Sequence, residues 1–134
     1  MEVLEIVEPE MKLRYPAMRQ ELLDAVSQLA APQDVRDVPP GVNWILENYT
    51  LLYEDAELGD APTNAIGVTL YDRAEAEALA AVADALHAVI QEAGPYASEP
   101  DYMASQAWKT VVTEARTAHS ILSLQRQQQG HTRS

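Results

Sequence analysis

The chain reads as a mainly α protein: about four helices packed as a compact bundle, with a short N-terminal arm and one candidate short strand. Three observations lead there. Apolar residues recur at helical spacing in several long segments. Pro and Gly fall between those segments or in their first turn. The run from Ala74 to Ala93 is built almost wholly of strong helix formers. With 134 residues, 47% of them hydrophobic, the chain suits one domain with a single modest core.

The N-terminal arm spans residues 1–14. Val3, Leu4, Ile6 and Val7 alternate there with Glu2, Glu5, Glu8 and Glu10, and Pro9 limits any regular element. Lacking a basic start followed by an apolar stretch, it does not read as a signal peptide. The single helical domain covers residues 15–126. Its first helix is expected from Pro16 to Ala31, because Pro suits a first helical turn. Met18, Leu22, Val26 and Leu29 form the stripe, with Arg19, Gln20, Asp24 and Gln28 on the other side. Residues 33–41 read as a loop.

Val42 to Ala56 admits two patterns. Tyr49, Leu51 and Tyr53 alternate as a strand would. Val42, Ile45, Leu46, Tyr49, Leu52, Tyr53 and Ala56 fit one helical stripe without a gap, so a helix is expected. Trp44 and Leu51 fall off that stripe. AIGVTLY, residues 65–71, is rich in β formers and is the candidate strand, with the arm as its pairing partner. Asp72 followed by Glu75 has capping-box spacing and opens the third helix, whose stripe is Leu79, Val82, Ala83, Leu86, Val89 and Ile90. Gly94 and Pro95 end it. A fourth helix is expected from about Ser98 to Gln125, bending near Ser105. Its stripe is Met103, Trp108, Val111, Val112, Ala115, His119 and Leu122. Residues 127–134 read as a polar C-terminal tail that frays.

Charge is the strongest global signal. The formal net charge is −12, which argues against a nucleic-acid binder, whose affinity rests on Lys and Arg against phosphate. It argues equally against binding an anionic membrane surface, and no apolar run approaches the ~20 residues of a span. A basic protein partner remains compatible, as does plain solvation. Between Arg36 and Lys109 the only Lys or Arg is Arg73, while acids recur throughout. There is no cysteine, which excludes disulfides, thiolate catalysis and Cys-based metal sites. The expected setting is the cytoplasm. The aromatic set, six Tyr, two Trp and no Phe, favours rings with one edge toward water or a partner. Together with the apolar arm, it makes a homodimer an expectation.

The stretches YPAMRQELLDAVSQLA, LLYEDAELGDAPTNAIGVTLYDRAEAEALAAVADAL and YMASQAWKTVVTEARTA, in that order over most of residues 15–120, resemble a family of small uncharacterised actinobacterial proteins. The resemblance lies in a YPxMR helix, an aromatic-apolar helix ending in an acidic pair, IGxxL, and an Ala-rich helix. It implies the helix boundaries and a bacterial cytoplasmic setting, and it carries over no catalytic residue.

Motifs of chemistry are few. Glu54, Asp55, Glu57 and Asp60 cluster, but an EF-hand loop begun at Asp55 puts Asp60 where Gly belongs and Ile66 where Glu belongs. An acidic loop after a helix is the plain reading. His87 and His119 lie on different helices, where a His at the edge of a packed face is the commoner reading. No serine sits in a nucleophile elbow, and no glycine-rich phosphate loop exists. No cofactor and no metal is therefore expected. Two functions remain. The first is a non-enzymatic acidic interaction module, with immunity- or antitoxin-like neutralisation of a basic partner as one version. Its candidate contacts are Trp44, Leu51, Glu54, Asp55, Glu57 and Asp60. The second is a small-ligand or metal-dependent enzyme with a pocket between helices two and four, lined by Tyr49, Tyr53, Trp108 and His119.

Overall fold

A computed structural model describes residues 13–32 and 41–133, with side chains described as far as Leu124. The expectations for residues 1–12 and 33–40 lie outside the described residues. The architecture is helical, and no strand occurs among the described residues. Helix α1 is Pro16–Ala30, α2 is Trp44–Tyr49, α3 is Arg73–Ala93, α4 is Glu99–Met103 and α5 is Trp108–Arg133. A π-helical turn, Thr50–Asp55, continues α2, and one 3₁₀ turn covers Pro62–Ala65.

The core forms where α5 packs against both α1 and α3. Leu22, Val26 and Leu29 of α1 meet Val111, Ala115, Ala118 and Leu122 of α5, and Leu79, Val82, Leu86 and Val89 of α3 complete one continuous cluster. The α3 stripe is as expected, and all six of its residues are buried. Asp72 caps α3 by accepting from the Glu75 N–H at 3.0 Å. Gly94, at φ +98°, ends the helix in a conformation that an L side chain adopts only with strain. Ser98 caps α4 by accepting from the Asp101 N–H. The expected bend near Ser105 is a break between α4 and α5.

Five expectations need correction, the last and largest of them Arg19. First, α2 does not run as one α-helix to Ala56. From Thr50 the backbone widens, and the Ala56 N–H bonds the Leu51 carbonyl, five residues back, at 2.9 Å. The wider turn shifts the helical register. Leu52 and Ala56 stay buried. Ahead of the wide turn, in α2 itself, Trp44 lies off the expected stripe yet faces inward at 8% exposure, with Ile45 and Asn48. Second, residues 65–71 form a tight turn and not a strand. The Ala65 carbonyl accepts from the N–H groups of Val68, Thr69 and Leu70, and the one β-bridge among the described residues is local, Ile66 with Leu70. Gly67 at φ +85° reverses the chain there. The N–H groups of Arg14 and Tyr15 do bond the carbonyls of Gly67 and Val68, at 3.1 and 2.8 Å. Third, two residues of the stripe expected for the fourth helix are at the surface, Met103 at the end of α4 and His119 on α5, and Ala118 is buried beside His119. Fourth, α5 continues past Gln125 to Arg133. Gln127–Gln129 sustain a helix already nucleated by packing.

Arg19 is the largest departure. Expected on the solvent side of α1, it is 6% exposed, and Glu75 facing it is fully buried. Nη1 and Nη2 of Arg19 donate to Oε1 and Oε2 of Glu75 at 2.7 and 2.8 Å. Nη1 also donates to the Thr69 carbonyl, and the guanidinium lies 4.4 Å from the centre of the Tyr71 ring. Glu75 accepts a further bond from the Tyr71 N–H at 2.8 Å. One bidentate pair thus ties α1, the 65–71 turn and the start of α3 together.

A second carboxylate joins α3 to α5. Glu92 accepts from the Ser105 hydroxyl and from the N–H groups of Gln106 and Ala107, just ahead of α5. Its carboxyl is held below its usual range by the Ser105 hydrogen bond first, with the two backbone bonds adding. A lowered carboxylate pKa contributes stability above the ordinary value of 4.5, and that contribution is lost as pH falls through the folded-state value. The expected result is that Glu92→Gln lowers the urea midpoint at pH 7. The offset should shrink as pH falls below 4.5 through the lowered folded-state value. An offset that stays constant over that fall would contradict this.

Candidate interaction site

Helix α1 and the α2–π segment do not close on each other completely. Between them lies a cleft of about 370 Å³. Four carboxylates line it, Glu21 and Asp24 from α1, Glu47 from α2 and Asp55 from the π turn. Among the described residues no Lys, Arg or His lines it. Its floor is partly apolar, from Ala25 and Leu51. The Asn48 amide donates to Gln28 Oε1 at 3.0 Å and bridges the two walls, and Gln20 donates to Asp24 at 3.0 Å. The local sequence makes this wall. Glu21, Asp24 and Gln28 are spaced i, i+3, i+7, so they share one face of α1. On the opposite wall Leu51 and Asp55 of the π turn both line the cleft.

The structure distributes the expected contact residues as follows. Leu51 and Asp55 line the cleft. Glu54, Glu57 and Asp60 are exposed beyond it, with Glu57 at φ +60°. Trp44 is buried against Trp108, ring centres 6.3 Å apart and planes at 79°. Glu21, Asp24 and Glu47 were not singled out by sequence. Their signal is the shared helical face of Glu21 and Asp24 together with the acidic first turn of α2.

The expected pocket residues separate into two groups. Tyr49 and Tyr53 come together, with ring centres 5.1 Å apart, and stack on His87 from α3. The Tyr53 and His87 rings are 4.7 Å apart and within 12° of parallel. The Tyr49 hydroxyl bonds His87 Nδ1 at 3.0 Å. Burial raises the Tyr49 pKa, and the neighbouring Tyr53 and Glu54 raise it further, so the phenol stays protonated near neutral pH. Gly59 closes the stack from outside. A Cβ there would stand 2.5 Å from the Tyr53 ring, so only glycine fits without displacing it. Trp108 belongs with Trp44, and His119 is exposed on α5. The stack therefore fastens the π turn to α3 and so fixes the wall carrying Leu51 and Asp55.

No group of three or more His, Cys, Asp or Glu is placed to hold a metal ion among the described residues. No helix there is long and apolar enough to cross a membrane. Neither a curated protein nor a solved structure matches the chain. A family model does, over residues 13–130, from the segment that meets Gly67 to beyond the buried part of α5. The chain belongs to that family, described as a domain of unknown function (DUF7945).

Proposed function

We propose that this protein is a non-enzymatic interaction module that receives a basic segment of a partner protein in the acidic cleft between α1 and the α2–π segment. The observation that carries the reading is the cleft lining: four carboxylates from three elements and, among the described residues, no cationic side chain. A Lys or Arg there would exchange water for several carboxylates while laying its methylenes on Leu51 and Ala25. The net charge of −12 would add long-range attraction and speed encounter. The proposed setting is the cytoplasm, where a cysteine-free chain needs no oxidising compartment. Immunity- or antitoxin-like neutralisation of a basic partner is one form such a module takes.

Titration calorimetry with a tetralysine peptide tests the reading. Binding is expected at low salt and should fall as salt shortens the Debye length below ~10 Å. The double variant Asp24→Asn/Glu47→Gln should weaken it about tenfold, since each lost charge contact is worth ~1 kcal/mol or less. Binding that ignores salt, or that survives the double variant unchanged, would remove the cleft from the account.

A further inference from the structure

Asn48 is a polar side chain set among the buried residues of α2. It is 8% exposed and shares its helix face with the buried Trp44 and Ile45. A buried amide costs stability unless both its N–H groups and its oxygen find partners. Asn48 Nδ2 has one, Gln28 Oε1 at 3.0 Å. Asn48 Oδ1 accepts no hydrogen bond among the described residues, and Gln28 Nε2 donates none there. Among the described residues the sealed and unpartnered side-chain oxygen is Thr69 Oγ1, so Asn48 Oδ1 is reachable from outside. Both Gln28 and Asn48 line the cleft.

Two amides joined in this way leave one acceptor and one donor side by side. A Lys or Arg head group uses only acceptors, so the four carboxylates suffice for it and Gln28 Nε2 has nothing to offer it. A peptide unit carries one N–H and one C=O and uses both. Inside a helix those groups are already paired along the chain, so only an extended backbone presents them.

We propose that Gln28 and Asn48 read the main chain of the occupant, so that the cleft takes an extended basic peptide segment of a partner protein. Asn48 Oδ1 accepts from a peptide N–H, and Gln28 Nε2 donates to a peptide C=O. The carboxylates around them take the Lys or Arg side chains on either side. The inference rests on the reading of the cleft as the site of a basic segment, and it adds the form in which that segment binds.

Titration calorimetry on the full chain, with three probes, tests it. The probes are tetralysine, tetralysine methylated on its backbone nitrogens, and spermine, which matches tetralysine in net charge but has no peptide group. Tetralysine is expected to bind about tenfold more tightly than either of the others, the effect of one or two neutral hydrogen bonds. Gln28 is exposed, and Gln28→Ala should weaken tetralysine about threefold to tenfold while leaving spermine unchanged. If spermine or the methylated peptide binds as tightly as tetralysine, main-chain reading is wrong and the acidic cleft stands. The same follows if Gln28→Ala weakens tetralysine and spermine in equal proportion, or weakens neither. If none of the three probes binds, the cleft reading falls and main-chain reading falls with it.

Discussion

Arg19→Met is expected to destabilise the fold by about 3–5 kcal/mol, because it leaves the Glu75 carboxylate buried without its counter-charge. Glu75 is fully buried, so water cannot take over the role of the guanidinium. The Tyr71 N–H alone would remain on that carboxylate. A domain of this size has about 5–15 kcal/mol of net stability, so the loss is a large part of the whole. Arg19→Lys should recover little, since a single ammonium cannot reproduce the two parallel bonds at 2.7 and 2.8 Å. Arg19→Met/Glu75→Leu should recover a good part, because replacing both members leaves no unpaired charge. Urea unfolding followed by far-UV circular dichroism measures all three variants. An Arg19→Met midpoint within 1 M of the parent, at an m-value of about 1–3 kcal/mol/M, would show that the pair is not buried in solution.

The helices were legible because burial on one face leaves a period in the sequence, and α3 kept its expected stripe entire. The Arg19–Glu75 pair lies in the same period, although both residues are charged and Glu75 also fits a capping box. Arg19, Leu22, Val26 and Leu29 are spaced 3, 4, 3, and Glu75, Leu79, Val82, Leu86 and Val89 are spaced 4, 3, 4, 3. A charged residue in register with a core stripe is itself a signal of a buried partner. The turn at 65–71 was misread because β propensity reports a side chain's fit to a pleated surface. It does not report whether a neighbouring strand exists to pair with. The π turn left no local signal. One widened turn changes which residues face inward over the segment that follows, and its hydrogen bonds run through the backbone, where any side chain permits them. The cleft was half visible. Leu51 stands out because it falls off the expected stripe and Asp55 because it belongs to the acid-rich end of α2, but Glu21 and Asp24 become the opposite wall only with α1 placed beside α2.

Trp44→Ala separates packing from recognition at the residue where the two readings differ most. As an outward residue of α2, Trp44 would serve a partner, and its loss would weaken binding while leaving stability within about 0.5 kcal/mol. The structure buries it to 8% exposure, edge-on to Trp108 at 7%. Its own N–H is held by Glu99 Oε2 at 2.9 Å, and Asn43 beside it caps α2 and reaches the Ala97 carbonyl. The expected cost of Trp44→Ala is therefore about 3–5 kcal/mol, the range for removing a large ring from a packed core. Trp108→Ala should cost a similar amount. The double variant should be less destabilised than the sum by about 0.5–1.5 kcal/mol, the interaction of the two rings beyond their burial. Because α2 carries the Glu47 wall of the cleft, Trp44→Ala should also weaken tetralysine binding, but only in proportion to the fraction unfolded. Adding a stabilising osmolyte should then restore binding in Trp44→Ala and leave it impaired in Asp24→Asn/Glu47→Gln. A Trp44→Ala protein as stable as the parent, yet deficient in binding, would return Trp44 to the surface and overturn the packing described for α2.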